Sequence, residues 1–201
     1  MTRFDDLDTV QTRVWRRLST AAAEPGHPYR TLTFATTQDD TPRLRTVVLR
    51  EVHRPARRLA FHSDRRAQKI DDVRATGRIA WKGWDPETAE QVRLGGTATV
   101  HTDDAVADAM WADQDPRSLD VYVSPAAPGT PIDDPEEGID PSVVEGPVTR
   151  AEVESGRPHF AVVRTVIDEI DWLHLHPKGH ARARFEYDPE AERFEGTWIA
   201  P

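Results

Sequence analysis

TLTFATTQDDTPRLRTVVLREV, residues 31–52, is the stretch on which the fold turns. From Arg30 onward the apolar period is two, which puts alternate side chains on opposite faces of an extended chain. Thr31–Thr36 reads as a strand, Gln38–Pro42 as a turn, and Leu44–Val52, rich in β-branched residues, as the returning strand. So short a connection joins antiparallel neighbours, because a parallel pair needs a crossover of about a dozen residues or more.

The same alternation continues on both sides. Upstream, Leu7, Val10, Val14 and Leu18 recur at helical spacing within Asp6–Ala23, with Asp6 or Asp8 as the cap and Pro25, Gly26 and Pro28 ending the run. Downstream, Arg58–His62 reads as a short strand. A helix follows, capped by Ser63 or Asp64, with Ala67, Ile70 and Val73 on one face and Gly77 at its end. Strands resume at Arg78–Trp84 and Gln91–His101, then comes a helix over Asp103–Ala112 capped by Thr102 or Asp103. The last strands are His159–Leu175, Ala181–Tyr187 and Phe194–Ile199. Between Ser124 and Pro147 the composition shifts to Pro, Gly, Ala, Asp and Glu, a loop long enough to be functional or mobile. Short turns and few helices predict one α+β domain over residues 1–201: an antiparallel sheet closed, or nearly closed, into a small barrel with helices outside.

Composition narrows the function classes. The 201 residues carry a formal net charge of -9, no cysteine, 37% hydrophobic and 30% charged residues, and a mean hydropathy of -0.65. Without cysteine there is no disulfide, thiolate metal site, iron–sulfur cluster or cysteine nucleophile. The acidic balance argues against a nucleic-acid partner, which needs a concentrated basic face. Met1–Asp8 is polar and acidic with no apolar signal region, and no apolar run reaches the roughly 18 residues of a membrane helix. A cytoplasmic protein without membrane attachment is the expectation. Lysine stands only at Lys69, Lys82 and Lys178, so most positive charge is arginine.

Three segments place polar or cationic groups at strand ends or a helix start. Arg45-Thr46-Val47-Val48-Leu49-Arg50 has an arginine at each end of an apolar strand. Phe61-His62-Ser63-Asp64-Arg65-Arg66-Ala67-Gln68-Lys69 runs a strand into a helix, whose first turn leaves backbone N–H groups that attract anions. Gln91-Val92-Arg93-Leu94-Gly95-Gly96 puts an amide early in a strand that reaches paired glycines. Each alone also reads as a solvated strand end, an exposed helix start, or a bulge. His174, His176 and His180 are close in sequence, but no carboxylate spacing supports a metal site, and none is expected.

In order and spacing these segments resemble the pyridoxamine 5′-phosphate oxidase-like FMN-binding split-barrel family. The family's R-x-V-L-L-K corresponds to Arg45–Arg50, its F-Y-T-x-x-x-S-R-K to Phe61–Lys69, and its R-Q-V-R-x-x-G to Glu90–Gly96. Its tryptophan and R-L-H-D-R-F correspond to Trp172 and His180-Ala181-Arg182-Ala183-Arg184-Phe185, with a slightly longer gap. The similarity covers most of residues 30–201.

The resemblance implies an FMN cofactor. Arg45 and Lys69 would pair with its phosphate, assisted by Ser63 and Gln68, with His62 in the same motif. The strand of Thr46, Val47, Val48 and Leu49, ending at Arg50, would run beside the flavin ring, and Gln91 would bond its polar edge. Trp172 and Arg184 match positions that reach the cofactor from the other subunit, which implies a homodimer with FMN at the interface. Arg50, His180 and Arg182 are the expected groups toward a small-molecule substrate. The family's substrate-phosphate signature falls on Trp111, Asp115, Pro116 and Leu119, where only the proline matches; an aspartate in place of arginine is expected to repel a phosphate. That places the chain nearer the family's oxidase-related branch than the vitamin B6 enzyme. An oxidoreductase is the leading expectation. The alternatives are a non-catalytic carrier of FMN or a deazaflavin, and an interaction protein using the acidic 124–147 loop.

Overall fold

The computed structural model describes residue 4, residues 6–134 and residues 148–201. Helix α1 (Leu7–Ala23) is followed by β1 (Thr31–Gln38), β2 (Thr41–His53), β3 (Arg58–Asp64), α2 (Gln68–Thr76), β4 (Arg78–Asp85) and β5 (Glu90–His101). Helix α3 (Ala105–Asp113) leads through short turns to β6 (Phe160–His174), β7 (Ala181–Asp188) and β8 (Arg193–Trp198). All pairings are antiparallel, in the order β3-β2-β1-β4-β5-β6-β7-β8, and β3 also pairs with β6. That last pairing closes six strands into the expected barrel and leaves β7 and β8 as an extension.

One edge of β6 is divided between two partners. Residues 160–166 pair with β3, and residues 169–174 pair with β7. The opposite edge follows β5 from Val162 to His174, with a register shift at Gly95/Gly96. There a side chain has no room: a Cβ on Gly96 would stand 2.3 Å from the Val166 carbonyl oxygen.

Inside the barrel Phe34, Phe61 and Trp81 pack edge-on or tilted at centroid distances of 4.8, 5.1 and 5.5 Å. Trp84, three residues on, is substantially exposed, although a large aromatic in this strand is expected to pack in or over the barrel as Trp81 does. Helix α1 starts at Asp6, whose carboxylate accepts from the Thr9 N–H at 2.8 Å, and buries Val10, Val14, Trp15, Leu18 and Ala21 on the barrel. A second apolar cluster joins Trp111, Leu119, Tyr122, Val153 and Phe160 on the outer side of β3 and β6.

Two helix starts differ from the sequence expectation. The β3–β6 ladder holds the chain extended as far as Asp64, so α2 begins at Gln68 rather than at Ser63. Ala67 occupies the cap and offers no side-chain acceptor. Helix α3 is capped by Asp104, which accepts from Val106 and Ala107 N–H at 3.0 Å each. Of the loop expected over 124–147, residues 135–147 lie outside the described residues.

Candidate cofactor site

The end of β3 and the first turn of α2 bring two cations together. Lys69 Nζ donates to Ser63 Oγ at 3.1 Å. Burial, and then the neighbouring Arg45 guanidinium, hold the Lys69 ammonium below the usual lysine range. Arg45 reaches the same corner from β2, donating to Thr36 Oγ1 at 2.7 Å and to Asp72 Oδ2 at 3.1 Å. Asp72 is fully buried and also accepts from Thr36 Oγ1 at 2.6 Å. Gln68 sits one turn earlier on α2, its amide 3.5 Å from the same carboxylate. Asp64 also acts on Lys69 but is paired with Arg66, so Arg45 and Lys69 against Asp72 leave the corner net positive, which suits an added anion.

A cavity of about 430 Å³ opens beside that corner. One wall is β2, through Thr46, Val47, Val48 and Arg50; His62 and Lys69 form the floor, and Arg117, Ser118, Asp120, Val121 and Tyr122 the far side. An adjoining space of about 440 Å³ shares His62, Lys69, Val121 and Tyr122 and extends along Ser63 to the segment 124–132. Arg66 ties that segment down, donating to the Ser124 and Pro125 carbonyls at 3.0 and 3.1 Å while its guanidinium grips Asp64 at 2.6 Å.

His62 is the unusual member of this wall. Its Nε2 is buried without a hydrogen-bond partner among the described residues, and Phe160 lies edge-on at 4.9 Å. Burial, reinforced by Arg50 and Arg30, pushes the imidazole down to about 3. The ring is therefore neutral at physiological pH. An unfolded chain takes up its proton near the ordinary value of 6.5, while the native ring resists until about 3. Stability must fall as pH drops through that window. His62→Gln is expected to flatten this acid limb by about one proton, read as the pH slope of urea unfolding free energies. An unaltered slope would show that the ring is charged and solvated in the native protein.

The remaining predicted residues lie elsewhere. Gln91, Arg93, Asp171, Arg182 and Arg184 share the outer face of β5, β6 and β7, where Arg93 faces Asp171 and Arg184 faces it from the other side. The buried Asp171 carboxylate accepts from Arg93 at 2.5 Å and from Arg182 at 2.8 and 3.1 Å. His180 sits in the exposed β6–β7 connection, its Nδ1 accepting from the His176 N–H at 3.2 Å. Trp172 joins neither group. It is 1% exposed, points inward from β6, and donates its indole N–H to Glu90 at 2.9 Å. Leu49 likewise turns inward and is fully buried in the core. Among the described residues no group of three or more His, Asp or Glu is arranged to hold a metal ion.

The substrate-phosphate signature needs correcting. Asp115 does not line the cavity; its carboxylate accepts from the Arg117 N–H at 2.8 Å and caps the turn Pro116–Ser118. That turn places Arg117 and Ser118 on the cavity instead, so a cation faces it after all. Trp111 and Leu119 are core residues. Alignment to a motif missed Arg117 because the turn displaces the cation by two positions. Asp72 was missed because a buried aspartate mid-helix has no sequence signature.

The closed six-strand antiparallel barrel with flanking helices has the fold of the FMN-binding split-barrel class. Residues 12–102 match the family model described as pyridoxamine 5′-phosphate oxidase, FMN-binding domain, which supports FMN as the cofactor. No curated protein sequence matches the chain. Among solved structures, a pyridoxamine 5′-phosphate oxidase-related FMN-binding protein from Nostoc punctiforme is similar at 24% identity, over 100% of both chains, with a TM-score of 0.70. PhzG from Burkholderia lata, solved with tetrahydrophenazine-1-carboxylic acid, is similar at 18% identity, over 100% of this chain and 98% of that one, with a TM-score of 0.74. At these identities the likeness establishes the fold. The residues present fit the cofactor: Arg45, Lys69 and Ser63 are donors suited to a phosphate, and His62 Nε2 is a buried nitrogen with no partner among the described residues.

Proposed function

We propose that the chain is an FMN-dependent oxidoreductase acting on a small molecule, working as a cytoplasmic homodimer. The observation that carries this is the Arg45–Lys69–Ser63 corner opening onto a cavity walled by β2. FMN, when bound, supplies the hydride or electron transfer that no side chain of a cysteine-free chain provides. The protein's part is positional. Arg45, Lys69 and Ser63 would hold the phosphate, the Thr46–Leu49 backbone would flank the ring, and Tyr122 and Val121 would limit water. Burial holds the Tyr122 hydroxyl above its ordinary range, so it remains a neutral donor.

The division of the predicted residues supports the homodimer. Gln91, Arg182 and Arg184 face away from the cavity of their own chain, so a second copy must present them if they serve the flavin. No helix among the described residues is long and apolar enough to cross a membrane. The test is a visible spectrum of purified protein with an FMN titration, followed by stopped-flow reduction with candidate amines and reoxidation by oxygen. Flavin absorbance that bleaches and returns supports the oxidoreductase. A colourless protein that takes up no FMN overturns the reading, and a loaded protein that no donor reduces is a carrier.

A further inference from the structure

One of the three lysines stands apart from the other two. Lys82 and Lys178 are exposed, whereas Lys69 is half-buried and lines both adjoining cavities. Among the described residues its ammonium donates only to the Ser63 hydroxyl, at 3.1 Å. The carboxylate that acts on it, Asp64, is held in a two-pronged grip by Arg66 at 2.6 and 3.0 Å. Burial first, and the Arg45 guanidinium second, disfavour the charged form of Lys69. An amine in that setting is more often the free base, the form with a lone pair to attack.

The neighbours select the reagent. Arg45 and Ser63 are donors suited to a phosphate, and a phosphoryl group bonded to Ser63 Oγ lies beside the Lys69 nitrogen. In an acyl phosphate the electrophilic carbon is joined to a phosphoryl oxygen, so the anion that binds also delivers the acyl group. We propose that Lys69 is a modification site, acylated by acyl phosphates when the corner holds no flavin. The ammonium first gives one proton to solvent. The neutral nitrogen then attacks the acyl carbon: a C–N bond forms, the C–O bond to phosphate breaks, and a second proton leaves with the phosphate. The products are an amide and inorganic phosphate, and nothing is oxidised or reduced. An amide offers a phosphate no charge, so the acyl group and FMN exclude each other. The modification rests on the corner itself; only the exclusion of FMN rests on the reading above.

The experiment treats the full chain with acetyl phosphate, with and without saturating FMN, and follows each lysine by peptide mass spectrometry. Lys82 and Lys178 are the internal controls. Without FMN, Lys69 is expected to acetylate about tenfold or more faster than either, the advantage of a positioned reagent. Inorganic phosphate and FMN should each remove that advantage and leave the other two lysines unchanged. Acetic anhydride, which has no phosphoryl group, should show no preference that phosphate suppresses. Arg45→Ala should slow acetylation of Lys69 by about tenfold, and should that variant not fold, the wild-type competition with inorganic phosphate decides. Lys69 reacting no faster than the exposed lysines, or at a rate indifferent to inorganic phosphate, overturns the proposal and leaves FMN binding, measured separately, untouched. Selective acetylation that phosphate suppresses and FMN does not leaves the modification standing and removes the flavin from this corner.

Discussion

Replacing Arg45 and Lys69 together by alanine is expected to strip FMN from the protein, weakening its binding by about 10²- to 10⁴-fold. A hydrogen bond to a charged group contributes roughly 1.5–3 kcal/mol, and two such contacts to one phosphate give about 3–6 kcal/mol. The loss should be specific to the phosphate. Riboflavin, which lacks it, should bind wild type and variant nearly alike. Fluorescence-quenching titrations with both flavins make the comparison, and rising salt should weaken FMN binding to wild type. Arg45 also neutralises the buried Asp72, so the double variant leaves that carboxylate with only Thr36 and Gln68 and must lose some stability. Lys69→Gln avoids that complication, because removing the ammonium relieves its repulsion with Arg45. If Lys69→Gln binds FMN as wild type does, the phosphate is not in this corner.

Glu90→Ala should be among the most destabilising single changes in the chain, lowering stability by about 3–5 kcal/mol, the range for breaking a buried ion pair. Glu90 is 1% exposed, and its carboxylate accepts from Arg13 at 2.5 and 2.9 Å, from Arg17 at 3.2 Å and from the Trp172 indole at 2.9 Å. Arg17 in turn grips Asp85, so one network pins α1 to the start of β5, the β4–β5 turn and β6. Alanine would leave a buried indole N–H and a guanidinium without their acceptor. For a chain of this size the melting temperature should drop by about 10 °C. Glu90→Gln keeps one acceptor and should lose less. Burial pushes the Glu90 carboxyl up, but the bonds from Arg13 and Trp172 outweigh it and hold it below the ordinary range. Its contribution is thus present above the ordinary carboxylate range and disappears as pH falls through the lowered value. A melting curve for Glu90→Ala that overlays wild type at neutral pH would refute this account.

The barrel was legible because its evidence is local. Period-two runs separated by short turns pair first with their neighbours, and every strand here does so; only β1–β4 and β3–β6 join strands that are not consecutive. The clustering of Arg45, Ser63 and Lys69 was legible for the same reason: they lie at strand ends and a helix start, where backbone geometry fixes what they face. What escaped notice depends on parity and on distant partners. Trp172 and Arg182 belong to strands that pair with each other, yet one points inward to Glu90 and the other outward to Asp171. Nothing in the spacing between them reveals which. Arg117 reaches the cavity only because Asp115 and Pro116 build a turn that a linear motif does not anticipate. Asp72 gained its role from residues on two strands far from it in sequence.

The divided edge of β6 also sets an order of events during synthesis. His62 and Ser63 leave the ribosome with one side of their strand bare, because the backbone that covers it is Phe160–Val166, with Asp64 opposite Phe160. Closing so distant a pairing is slow relative to forming the β1–β2 hairpin. The nascent chain therefore carries every cation of the phosphate corner long before it has a closed wall to hold them in place. Flavin capture is a late act of the completed chain, and truncations ending before Phe160 should emerge colourless even though they contain the whole of residues 12–102.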